Sequence, residues 1–178
     1  MSTSLTATDL ADLDRAQDRE LLIGNGLGGY TALSPLGAPG RRYHGLLVAA
    51  LQPPVARTVL AGPPMLWART DGDWLPLFSF EMEPGRFLPQ LGAPLSDVSI
   101  GVGGVTKRWG LTVGALTERH TAVHGANAVL LSLSLDAAAS SGVDLVLRLT
   151  ATAHDHHDAL VGDVACAEIH VHERAQQG

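Results

Sequence analysis

Hydrophobic residues along this chain fall in short runs rather than long helical stripes. Most runs alternate with polar residues or continue for about four to eight positions between turn signals, as strands do. The exception lies near the N-terminus, where Leu10, Leu13 and Ala16 recur three apart behind Thr8. That spacing predicts one short helix within residues 8–19, with Thr8 as its N-cap. His44 to Leu51 is a continuous apolar run halted by Pro53-Pro54, which predicts a strand buried on both faces. Met65–Thr70 and Asp73–Phe80 flank Asp71-Gly72, two residues that tolerate positive φ, and so predict a hairpin.

Further along, Asn127–Leu135 sets Val129, Leu131, Leu133 and Leu135 on one face, and Val143–Leu149 repeats the alternation. These two strands are expected to pair across the loop DAAASSG. Val161–Glu173 reads as one more strand, with Ala165, Ala167, Ile169 and Val171 inward and Cys166, Glu168, His170 and His172 outward. Pro84–Gly104, rich in glycine and proline, reads as a long loop with one strand near Val98. The expected architecture is all-β: an antiparallel β-sandwich of about ten short strands with one short N-terminal helix. Residues 1–19 form the lead-in, and residues 20–178 the sandwich domain.

Composition narrows this picture. A chain of 178 residues fits one domain and hides about 70% of its unfolded surface, so it needs no staple to fold. With 46% hydrophobic and 17% charged residues it is globular, and its 20 glycines and 10 prolines favour turns over long helices. The single Cys166 excludes an internal disulfide. A net charge of −6 offers no field for nucleic acid or an anionic membrane. No apolar stretch has signal-peptide or membrane-span character, so a cytoplasmic protein is expected.

Three segments carry candidate chemistry. Gly24-Asn25-Gly26-Leu27-Gly28-Gly29 satisfies the dinucleotide fingerprint literally, but prolines and glycines follow it where a helix should open. No acid stands between Glu20 and Asp71 to hold a ribose, so the segment reads as a glycine-built turn. The same acid-free stretch contains Arg41, Arg42, Tyr43, His44, Arg57 and Arg69, a local positive surface suited to a sugar, a phosphate or the acidic face of another domain. Two clusters, His154-Asp155-His156-His157-Asp158 and His170-Val171-His172-Glu173, could offer imidazoles from neighbouring strands to a divalent metal, though their spacing fits no standard signature. No cofactor and no resident metal are assigned. The alternatives carried forward are a free-standing metal-binding sandwich using His154/His156 and His170/His172, and a stand-alone oligosaccharide-binding module.

The stretch from Glu20 to Thr58, read as a whole, resembles the N-terminal domain of prokaryotic glycogen-debranching enzymes of the amylo-α-1,6-glucosidase type. It has the acid, the apolar pair, Asn-Gly-Leu-Gly-Gly-aromatic and then Arg-Arg-Tyr-His-Gly-Leu-Leu in that order. The segments WLPLFSFEMEPGRFLPQ and VDLVLRLTATAHDHHDAL add weaker matches, with Asp155 and His157 in place and His154 and His156 standing where the family has arginine and an aromatic residue. The resemblance implies a β-supersandwich, incomplete here at its C-terminal end, that packs against an (α/α)6 catalytic domain carrying the general acid and base. It therefore implies no catalytic residues in this chain, and α-glucan or malto-oligosaccharide as the ligand. It further implies a substrate-cleft or domain-interface role for Asn25, Gly26, Gly28, Gly29, Tyr30, Arg41, Arg42, Tyr43, His44, Asp155 and His157. Self-association through the apolar face that would meet the barrel is a further expectation.

Overall fold

The computed structural model describes residues 3–37, 39–137 and 142–158. Strand β1 (Thr3–Thr6) leads into two short helices, α1 (Ala7–Leu10) and α2 (Leu13–Gln17), rather than the single helix expected. Asp12 makes the break: its carboxylate accepts from Arg15 N at 3.1 Å and so starts a second helix. Thr6, not Thr8, caps the first, with its backbone N–H and hydroxyl both donating to Asp9. Leu10 and Ala16 are buried in the main core, so the lead-in packs together with the strands of the sandwich.

Then come β2 (Leu21–Gly24), β3 (Tyr30–Leu33), β4 (Gly45–Gln52) and β5 (Val55–Ala61). With β15 (Ala151–Asp155) they form an antiparallel sheet in the order β15-β5-β4-β3-β2. β4 lies in its middle, and Leu46, Val48, Ala49 and Ala50 are all buried, as the apolar run predicts, while Leu51 at its end is exposed. The ladder closes at Gln52 opposite Val55, which places Pro53-Pro54 at the hairpin tip.

β6 (Met65–Arg69) and β7 (Leu75–Pro76) pair with Ala68 opposite Leu75, the register that centres the turn on Asp71-Gly72. Gly72 there has φ +75°. β7 ends after two residues, and Phe80 instead opens β8 (Phe80–Glu83), which pairs with β9 (Arg86–Leu88). The expected long loop thus contains β9 and the whole of β10 (Leu95–Gly101), the strand expected near Val98. A meander of β10, β11 (Gly104–Leu111), β12 (Gly114–Ala122) and β13 (Val129–Ala137), edged by β1, makes the second large sheet.

One expected pairing is corrected. β13 pairs with β12, from Gly114 opposite Ala137 to Ala122 opposite Val129, and β14 (Asp144–Arg148) pairs with β6. Alternation says which residues share a face but not which strand lies alongside. The turn at Val123–Ala128 folds β13 back on β12, and Asp144 is drawn to Arg69, whose Nη2 lies 2.7 Å from its carboxylate. The total is fifteen strands among the described residues, against about ten expected. The strand expected over Val161–Glu173, with Cys166, His170 and His172, lies outside the described residues.

The main core sits between the meander, β2, β6 and the two helices, where Val98, Val105, Trp109 and Leu116 meet Leu21, Leu66 and Leu10. Inside it lies a polar group that no alternation would reveal. Lys107, Trp109, Glu118 and His120 occupy inward positions of β11 and β12, with exposures of 3% or less, and Lys107 stands opposite Glu118 in the ladder. Glu118 accepts from Trp109 Nε1 at 3.1 Å and bonds His120 Nε2 with its other oxygen. Burial alone would raise the Glu118 carboxyl, but Lys107, His120 and Trp109 outweigh it and lower it from 4.5 to about 2. Burial also pulls the Lys107 ammonium below its usual range, with Glu118 opposing.

Glu118→Ala should cost about 3–5 kcal/mol in urea denaturation, because it leaves buried partners uncompensated. The depressed carboxyl also fixes the sign in acid. Its contribution is fully present above pH 4.5 and lost as the pH falls towards 2, so stability should drop over that interval less steeply in Glu118→Gln than in the wild type.

Candidate functional site

The segment Asn25–Gly29 is a clasp. Asn25 Oδ1 accepts from Leu27 N at 2.9 Å, and Asn25 N donates to Gly29 O at the same distance, closing the turn between β2 and β3. Asn25 Nδ2 reaches across to Ala126 O at 2.9 Å, and Gly125 N donates back to Asn25 O at 2.7 Å. Asn127 completes the tie, donating to Ala50 O and accepting from Ala50 N as a further strand would. The backbones approach so closely that side chains are excluded. A Cβ on Gly28, whose φ is +96°, would lie 2.5 Å from Pro54 O, and one on Gly29 would lie 2.8 Å from Val48 O. A strand, β3, follows the glycines, so the dinucleotide geometry is absent.

Arg41-Arg42-Tyr43-His44 divides into two functions. His44 is buried; its Nδ1 accepts from Gly40 N at 3.0 Å, and its backbone N donates to Arg41 O, which winds the loop around the imidazole. Glu20 holds it from below, with Oε1 3.4 Å from His44 Nε2 and Oε2 3.5 Å from the Tyr43 hydroxyl. Tyr30 donates its hydroxyl to Tyr43 O at 3.2 Å, and burial pushes that phenol up against the pull of Arg57. Arg57 in turn is tied to Gly28 O at 2.8 Å, linking loop to clasp. Arg41 and Arg42 are left exposed.

These arginines open onto a groove of about 540 Å³. It is lined by apolar side chains from Val59, Pro63, Met65 and Phe80 and by Thr150, Thr152, His154 and Asp158. Thr152 is spent on the strand, donating to Val59 O at 2.7 Å. The two expected residues of the histidine segment build its turn and do not line the groove. Asp155 Oδ1 accepts from His157 N at 2.9 Å, and that bond first of all holds the Asp155 carboxyl below its usual range. The His157 ring packs on His156, centroids 3.8 Å apart. The structure thus joins Arg41, Arg42 and His44 to His154 and Asp158, and places Asn25, Gly26, Gly28 and Gly29 in the clasp. Sequence reasoning gave no role to Glu20 and Asp158; the acid heading the Glu20–Thr58 motif was the one signal for the former. Among the described residues no group of three or more histidine, cysteine or acidic side chains is gathered to hold a metal.

Antiparallel sheets packed on a common core, with a groove lined by strands of three of them, define an all-β sandwich domain. Residues 19–174 match the family described as glycogen debranching enzyme N terminal, and the chain belongs to that family. Comparison with curated proteins and with solved structures returns no match.

Gly28→Ala should lower stability by roughly 3 kcal/mol, since strain at positive φ adds to a clash with backbone. Gly72→Ala, also at positive φ but with open space around it, should cost about 1 kcal/mol. Parallel urea melts of the two variants measure the difference.

Proposed function

We propose that this domain serves a cytoplasmic glycogen-debranching glucosidase as its non-catalytic N-terminal part, presenting the Arg41–Arg42 groove to an α-glucan at the boundary with a separate (α/α)6 catalytic domain. Family membership supplies the class. The observation that carries the reading is the groove itself: among the described residues its only carboxylate is Asp158. Hydrolysis of a glycosidic bond by the usual route takes two, flanking the scissile bond. A lining of polar and apolar side chains suits a sugar, whose hydroxyls and C–H faces need both.

A neighbouring body is supported by β14. Leu145, Val146 and Leu147 are about 40% exposed on both faces of that strand, and its outer edge has no partner among the described residues. The metal-binding alternative has its second histidine pair, His170 and His172, outside the described residues.

The test is made in the intact debranching enzyme that carries this domain. Arg41→Ala with Arg42→Ala should raise KM for a branched limit dextrin about tenfold, the loss of one charge-assisted hydrogen bond, with the melting temperature unchanged. Unaltered KM and kcat would contradict the reading.

A further inference from the structure

Arg41 and Arg42 are adjacent cations in a chain of net charge −6, and among the described residues neither guanidinium has a hydrogen bond or ion pair. Four arginines are engaged, Arg57 with Gly28 O, Arg69 with Asp144, Arg86 with Glu83 and Arg108 with Asp136, and of the others among the described residues only Arg41 and Arg42 line the groove. Two unspent guanidiniums side by side at the rim of a groove form a receptor for a divalent oxyanion, since each presents a fork of donors matched to phosphate oxygens. A second observation comes from the same lining. His154 lines it, and its Nδ1 is buried with no hydrogen-bond partner among the described residues. A buried polar atom left unpaired costs free energy unless something supplies the bond.

The rest of the groove says what the anion is attached to. Phe80 and Met65 give an apolar lining, which suits the C–H face of a pyranose better than a bare hydrated ion. Asp158 would repel an isolated phosphate yet accepts hydrogen bonds from hydroxyls. We infer that the groove recognises a phosphate monoester borne on a sugar, with Arg41 and Arg42 on the phosphate, Asp158 on the sugar hydroxyls and the apolar lining against the ring. The inference deepens the functional reading of the same groove and rests on it only in taking a sugar as the body of the ligand.

The test is calorimetry on the 178-residue chain at low salt, with glucose 6-phosphate, inorganic phosphate and neutral maltotriose as probes. The sugar phosphate should bind at least about fivefold more tightly than either other probe, and Arg41→Ala or Arg42→Ala should each weaken it about tenfold. Arg108→Ala, on the other large sheet, should leave it unchanged, and Asp158→Asn should shrink the preference for the ester over inorganic phosphate. No binding of the ester, equal binding of ester and inorganic phosphate, or the same loss in Arg108→Ala overturns the inference. Because the readout is ester binding and not glucan turnover, such a failure leaves the debranching reading standing on its own test.

Discussion

His44 is a buried imidazole under a loop that carries two exposed guanidiniums, and the loop has its shape because the ring is held on both sides. Gly40 donates to Nδ1 from the loop itself, and Glu20 approaches Nε2 from the chain just before β2. Tyr43 is drawn inward by the same carboxylate, and its backbone oxygen takes the Tyr30 hydroxyl. With Tyr43 and His44 committed to the interior, Arg41 and Arg42 have only the outside left. The groove and its charge are thus consequences of one buried ring and one acid at the head of the motif.

That loop would be useless if the sheet beneath it shifted. The clasp at Asn25–Gly29 prevents this by fastening the β2–β3 turn to the β12–β13 turn and, through Asn127, to β4. Arg57 carries the restraint from the clasp back along β5, the strand that lies beside β15 and the histidine segment. Beneath the other large sheet, the Lys107–Glu118–His120–Trp109 group has a different character. Two ionisable partners sealed in a core are a poor source of net stability compared with apolar residues, but removing one strands the other. Its geometry depends on the register that sets Lys107 opposite Glu118.

Much of this organisation was legible in the sequence, because β4, the Asp71-Gly72 turn and the alternation of β13 are set by local pattern, whereas β14 is exposed on both faces despite its alternation. Strand partners were not legible: alternation in β14 is equally compatible with β13 and with β6, and only the Arg69–Asp144 contact and the chain path decide. Inward Lys107, Glu118 and His120 were invisible for the opposite reason, since charge at an alternating position reads as an outward face. At the candidate site, the motif pointed to the loop that borders the groove but mixed two kinds of residue. Tyr43, Asp155 and His157 build turns, whereas Arg41, Arg42, His154 and Asp158 line the groove, and residue type alone does not separate the two kinds.

The central claim is that the surface joining residues 41–44 to residues 154–158 is the working face of the domain. Hydrogen–deuterium exchange on the intact debranching enzyme, with and without a branched oligosaccharide, tests it most directly. Slowed exchange is predicted in those two segments alone, with the Asn25 and Leu27 amides of the clasp unchanged because they are already bonded within the fold. Slowed exchange elsewhere on the domain, with residues 41–44 and 154–158 unaffected, would contradict it.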